Sequence, residues 1–249
     1  MLERSKLLFS DEQLNDFSNS NILIVGVGGV GGACFEALVR MGIKNISVVD
    51  GDVFSKSNLN RQLLCTKDNI GHSKVNEALL RAKSINPDIL VETHEMFLNE
   101  ANIDEIDYKK YNYIIDCCDT MTTKLLLIKK ALEYNIKIIS SMGTGNRVDP
   151  TKIEIMNIWK TQNDPVAKVM RKMLRDNHIK YKLPVLCSTE LPIKTHERIP
   201  GSVSFVPNVA GFCIASYVFN DIINYGSDLN EWESRIRKCF WSNERKYTY

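Results

Sequence analysis

Short apolar runs rich in β-branched residues recur through the first 140 positions, separated by stretches in which apolar residues return every three or four positions. The runs at 22–25, 46–50, 89–93, 113–117 and 136–140 have the length and content of strands. The stretches at 30–41, 73–86 and 123–134 carry the period of amphipathic helices. This alternation predicts a mainly parallel sheet with helices on both faces, because parallel neighbours need a crossover long enough to hold a helix. Functional residues are then expected outside the carboxyl ends of the strands.

Past Ser141 the rhythm changes. Residues 151–158 read as a further strand after the Asp149-Pro150 turn. Asp164-Pro165 reads as a helix start, the carboxylate capping free amides and proline taking the first turn, and the helix is expected to end near Asn177. Residues 178–201 hold three prolines, two histidines and several lysines with little periodicity, which predicts a long crossover or mobile loop. An apolar helix follows at 209–223, and the charged, aromatic-dotted tail from 230 reads as a peripheral helix. The expected fold class is therefore α/β, a Rossmann-like doubly wound sheet with an additional C-terminal strand and helix region. Residues 1–225 form one expected domain and 226–249 a tail without an assigned role.

With 249 residues, 44% apolar, the chain is long enough to bury a full core. Its net charge of +2 carries no argument for a polyanionic partner, so such a partner must be argued from local clusters. Seven cysteines, an odd number with no C-x-x-C pair, fit reduced thiols better than a disulfide framework or a four-cysteine zinc site. The N-terminus, Met1-Leu2-Glu3-Arg4-Ser5-Lys6, mixes charges and leads into no apolar stretch of signal-peptide length. Pro207 and Asn208 interrupt the apolar residues at 203–219, so a buried helix is expected there rather than a membrane span. A cytoplasmic protein with no membrane association is the expectation.

The sequence Ile24-Val25-Gly26-Val27-Gly28-Gly29-Val30-Gly31-Gly32 stands where the first strand should turn into the first helix. Gly26, Gly28, Gly29 and Gly31 allow a tight turn and close backbone approach, and free amides at the helix start can face a phosphate. Asp50, at the end of the second strand, stands where a carboxylate accepts ribose hydroxyls. A nicotinamide-dependent oxidoreductase or a simple nucleotide-binding module would explain that much. It would not explain Asn58, Arg61 and Lys74, an amide and two cations suited to stabilising a transferred phosphoryl or nucleotidyl group. Asp116-Cys117-Cys118-Asp119 closes the fourth strand. There Asp119 is the candidate Mg²⁺ ligand, since Mg²⁺ takes few protein ligands and keeps waters and phosphate oxygens; Asp116 is expected to fix backbone.

Gly26-x-Gly28-Gly29-x-Gly31, Asp50-x-Asp52, Asn58-x-x-Arg61-Gln62, Lys74 and Asp119 together resemble the E1-like adenylating enzymes of the ThiF and MoeB superfamily. The resemblance implies ATP as cofactor, with Asp50 on the ribose, Asn58, Arg61 and Lys74 on the phosphates, and Asp119 working with Mg²⁺. It also implies a homodimer in which an N-terminal arginine, here Arg4, reaches the partner's ATP site. Members that activate ubiquitin-like sulfur carriers commonly hold a zinc with two C-x-x-C pairs, which this chain lacks; adenylation of such a carrier's C-terminal glycine is the alternative reading.

The second half resembles a narrower group. Gly143-Thr144-Gly145-Asn146-Arg147-Val148-Asp149-Pro150-Thr151, Lys160-Thr161, Asp164-Pro165, Cys187-Ser188-Thr189-Glu190 and Ser202-Val203-Ser204-Phe205-Val206-Pro207 look like the tRNA threonylcarbamoyladenosine dehydratases. With the first half, the likeness covers roughly residues 3–224 and implies a ligase-type, ATP-dependent cyclisation of the threonylcarbamoyl group on adenosine 37 of tRNA. A sulfurtransferase-system protein is a further candidate partner. Cys187 reads as a free loop thiol. Lys168, Arg171, Lys172 and Arg175 recur at helical spacing, and Arg147, Lys180, Lys182, Lys194 and Arg198 could extend that charge into a landing surface for tRNA.

Overall fold

The computed structural model describes residues 1–197 and 199–224. The expected tail helix and Arg198 lie outside the described residues. Among the described residues seven strands form one sheet: β1 (Asn21–Val25), β2 (Asn45–Val49), β3 (Leu90–His94), β4 (Tyr113–Asp116), β5 (Lys137–Ser141), β6 (Ile153–Asn157) and β7 (Pro184–Ser188). Their order is β3-β2-β1-β4-β5-β7-β6, all neighbours parallel except the antiparallel β6–β7 pair. The chain leaves β1 for β2 on one side and later reaches β4 on the other, so a crevice opens above the carboxyl ends of β1 and β4.

The central strands read as continuous apolar runs because both faces are covered. Ile22 and Ile24 of β1 enter one core with Phe17, Phe35, Leu38, Ile214 and Val218, whereas Leu23 and Val25 enter the other with Leu127, Ile128, Met170 and Leu174. The first core is built by α1 (Asp11–Ser18), α2 (Gly29–Arg40), α3 (Lys74–Ile85) and α6 (Phe205–Ile222), the second by α4 (Met121–Glu133) and α5 (Pro165–Asp176). Among the described residues no helix is long and apolar enough to cross a membrane.

Two expectations about the elements needed correction, and one helix went unread. The segment 178–201 is not all loop: Pro184–Ser188 is β7, paired on both sides inside the sheet. Proline is tolerated there because it occupies the strand's first position. The last apolar helix starts at Phe205 rather than 209, since Pro207 sits in the first turn, where no intrahelical N–H bond is lost. Helix α1 was not anticipated, although Ser10-x-x-Gln13 forms a capping box: the Gln13 amide donates to Ser10 Oγ at 3.2 Å and the Ser10 amide to Gln13 Oε1 at 3.0 Å. The predicted start of α5 holds, with Asp164 accepting from the Ala167 amide at 3.0 Å and Pro165 opening the helix.

Candidate active site

A cavity of about 750 Å³ opens at the crevice above β1 and β4. It is bounded by the glycine turn, by Asp50, Asp52, Asn58, Arg61, Gln62 and Lys74, by 117–120 after β4, by Met96-Phe97-Leu98, and by Thr144, Gly145 and 199–202. All the sequence-predicted site residues converge there except Gly31, which packs beneath the turn, and Arg4, which is exposed at the N-terminus and lines no part of it.

Two glycines of the turn are sterically required. Gly26 has φ +91°, and a Cβ on it would meet the Cys117 carbonyl oxygen at 2.7 Å; a Cβ on Gly31 would lie 1.8 Å from the Gly26 carbonyl oxygen. The turn therefore folds flat against the end of β4, and α2 starts with its free amides toward the cavity. Asp50 has a positional duty beyond the expected one. Its Oδ2 accepts the Val27 amide at 2.7 Å and its Oδ1 the Asp52 amide at 2.9 Å, tying the glycine turn to the end of β2. A carboxylate has lone pairs left for further donors.

Lys74 opens α3, and its nearly buried ammonium donates to Asp52 Oδ2 at 2.8 Å, with Asp50 Oδ1 4.0 Å away. Asn58 is held by a reciprocal cap, its Oδ1 accepting the Ser55 amide at 3.0 Å. Arg61 is fixed at the rim by Nη1 bonds to Ser57 O at 2.8 Å and Asn60 Oδ1 at 3.0 Å. Gln62 is buried beside Gly28, and its Oε1 has no hydrogen-bond partner among the described residues.

The end of β4 divides two carboxylates by environment. Asp116 is completely buried, accepting from Lys124 Nζ at 3.1 and 3.2 Å, from the Cys118 amide at 3.2 Å, and from the Ser140 hydroxyl. Lys124 Nζ also donates to Ser141 O at 2.7 Å, so one ion pair joins β4, α4 and β5. Asp119 is exposed and accepts from the Thr120 hydroxyl at 3.4 Å. Asp116 thus holds backbone, as expected, and leaves Asp119 facing the cavity.

The ThiF family model matches residues 2–229. This chain belongs to the ThiF family. Bacillus subtilis tRNA threonylcarbamoyladenosine dehydratase is 36% identical over 237 residues, 88% of this chain and 93% of that one. The Escherichia coli tRNA N6-threonylcarbamoyladenosine dehydratase TcdA has the same architecture: its AMP complex superposes with a TM-score of 0.84 at 29% identity, covering 89% of this chain and 93% of that one. Its ATP complex matches with a TM-score of 0.84 at 28% identity over the same coverage. The Rossmann-like, mostly parallel fold expected of this ThiF-family chain is the one found.

Beyond the motifs, the family member's cavity has walls that its sequence did not announce. Phe97 lies against Gly51, whose added Cβ would sit 2.6 Å from the ring, and Pro200 and Gly201 are stapled over Gly145 by Asn146. Asn146 donates its amide to Gly201 O at 2.7 Å and accepts the Gly201 amide on Oδ1 at 2.6 Å. The Gly145-Asn146 pair was the available signal, asparagine tolerating the positive φ of 57° found there.

Arg147 does not belong to an exposed basic surface. It is buried, donating to Gly143 O at 2.9 Å, Gly145 O at 3.2 Å and Asn163 O at 3.2 Å, and so braces the cavity wall. Cys187 is likewise not a loop thiol but a buried residue of β7, and burial pushes it up to about 12. Burial, reinforced by Asp116, pushes Cys117 up to about 12 and raises Cys118 as well. None of the three carries usable thiolate at neutral pH. Cys187→Ala is therefore expected to leave turnover at the wild-type level, and iodoacetamide to modify Cys187 only after unfolding; loss of turnover with the fold intact would contradict this.

Proposed function

We propose that this protein activates the carboxylate of N6-threonylcarbamoyladenosine at position 37 of tRNA with ATP and closes the ring with loss of water. The observation that carries the reading is the convergence of the glycine turn, Asn58, Arg61, Lys74 and Asp119 on one cavity, in a chain similar over nearly its whole length to dehydratases of that name. The cavity fits a nucleotide: free amides at the start of α2, open space beside Gly28, and an orphaned Gln62 Oε1 all await a polar ligand. For Mg²⁺, no group of three or more His, Cys, Asp or Glu that could hold a metal exists among the described residues. A single exposed Asp119 beside a phosphate site is the donor set Mg²⁺ accepts, with water and phosphate oxygens completing the shell. When bound, the ion neutralises phosphate charge.

In this reading the threonylcarbamoyl carboxylate attacks the α-phosphorus of ATP. A carboxylate–phosphorus bond forms, the bond to the β-phosphate bridging oxygen breaks, and pyrophosphate leaves. Lys74 and Arg61 face the phosphates, where their charge offsets what builds up during transfer; Lys74 exchanges Asp52, whose side chain is 56% exposed, for phosphate oxygen. Asp50 holds the ribose while keeping the glycine turn in place. The carbamoyl nitrogen or oxygen then attacks the activated carbonyl, AMP departs with the former carboxylate oxygen, and the proton passes to solvent. The nucleophile is already tethered, so ring closure needs no enzyme thiol.

We further read residues 1–225 as one cytoplasmic domain working as a homodimer, with Arg4 reaching the partner's cavity. Leu7 and Leu8, 84% and 77% exposed beside Arg4, support a covered surface there. ATP labelled at the α-phosphate tests the activation step: AMP is expected to form only when the tRNA carries threonylcarbamoyladenosine. AMP formation with a ubiquitin-like carrier and none with tRNA would favour the alternative acceptor.

A further inference from the structure

Two segments that adjoin the cavity walls carry opposite charge. The segment 95–107, which supplies Phe97 and Leu98 to the wall, contains Glu95, Glu100, Asp104, Glu105 and Asp107, all exposed, and no lysine or arginine; of the five, Asp104 is paired with Lys130 Nζ at 2.7 Å. The stretch 160–182, anchored to another part of the wall, contains seven lysines and arginines and only Asp164 and Asp176 as acids, Asp164 being buried.

The anchoring is rigid. The Gly143 amide donates to Asp164 Oδ2 at 3.1 Å, and Arg147 ties Gly143 and Gly145 to Asn163, so the first turn of α5 is fixed to the wall formed by Thr144 and Gly145. Ala167, Met170 and Leu174 turn inward to the core, which leaves Lys168, Lys172 and Arg175 in one exposed row on successive turns. Arg171 is set apart from that row by its bonds to Thr161. Lys168, Lys172 and Arg175 make no ion pair among the described residues, and exposed Lys180 and Lys182 continue the charge.

We infer that the Lys168–Lys172–Arg175 row is the phosphate-backbone contact for the RNA whose modified nucleoside enters the cavity, an inference that rests on the function proposed above. A substrate group attached to a polyanion must bring its neighbouring phosphates to the cavity rim. The acidic segment repels them and the α5 row attracts them, which fixes the side from which the strand approaches. Recognition by such a row is electrostatic and weakly sequence-specific.

The test compares wild type with the K168A/K172A/R175A variant, using fluorescently labelled tRNA bearing threonylcarbamoyladenosine and titrating at several salt concentrations. The variant is expected to bind at least about tenfold more weakly at low salt, and the slope of log affinity against log salt to flatten by about 2–3, as three lost phosphate contacts require. ATP affinity and thermal midpoint should not change, and a K83A/K109A control should bind tRNA as wild type does. E100Q/E105Q should bind tRNA more tightly. Unchanged affinity and slope in the triple variant overturn the assignment. If wild type meanwhile dehydrates the nucleoside, only the α5 row is lost; a wild type that neither binds nor dehydrates the tRNA overturns the proposed function with it.

Discussion

Replacing Arg61 or Lys74 by alanine is expected to lower turnover by about 10²–10³-fold, the usual loss when one preorganised charge donor to a developing anion is removed. The two should differ in character. Arg61 is held at the rim by Ser57 and Asn60, so its loss leaves the fold untouched and acts on the chemical step. Lys74 also neutralises Asp52 and lies 4.0 Å from the nearly buried Asp50, so Lys74→Ala should additionally loosen the glycine turn and weaken ATP binding. Rapid-quench measurement of AMP formation together with ATP binding checks both. Near-normal rates in both variants would remove the phosphate-site assignment.

The second large effect falls on stability. Asp116→Ala is expected to cost about 3–5 kcal/mol, because it leaves the Lys124 ammonium buried with no carboxylate. Burial opposes the charge on Lys124, yet Asp116 outweighs it and holds the group above the ordinary lysine range. In a chain of this size the change corresponds to a fall in thermal midpoint on the order of 10 °C. Asp116→Ala/Lys124→Met should lose less than the sum of the single changes, since the double variant buries no orphaned charge. Denaturant melts of the three variants check this, and a cost below about 1 kcal/mol for Asp116→Ala would show the pair to be dispensable.

Much of this molecule is legible in its sequence because local pattern and tertiary duty agree. Ile22–Val25 is apolar throughout since both faces of β1 are covered, and Asp164-Pro165 caps α5 by purely local geometry. Strand β7 was hidden because its five residues lie between prolines and charged residues, and its identity as a strand comes from pairing with β5 and β6, contacts no local window holds. The same limit applied to Arg147 and Cys187: a guanidinium in a polar stretch and a thiol near a proline look exposed until carbonyls or neighbouring strands surround them. At the site, Gly26 through Lys74 could be read because their order follows the strand and helix succession. The hold of Asp50 on the glycine turn could not, since the Val27 amide it accepts becomes its neighbour only when β1 and β2 pair. Phe97 and 199–202 reach the cavity from distant parts of the chain, with no spacing to announce them.

The nucleotide machinery of the cavity is proposed to serve a carboxylate carried by tRNA. This is tested most directly by digesting threonylcarbamoyladenosine-containing tRNA to nucleosides after incubation with this protein and Mg-ATP, and weighing the modified nucleoside by mass spectrometry. A product lighter by one water is expected, formed only with ATP present and abolished by Arg61→Ala. A nucleoside of unchanged mass, from tRNA that the protein demonstrably binds alongside ATP, would contradict the proposal.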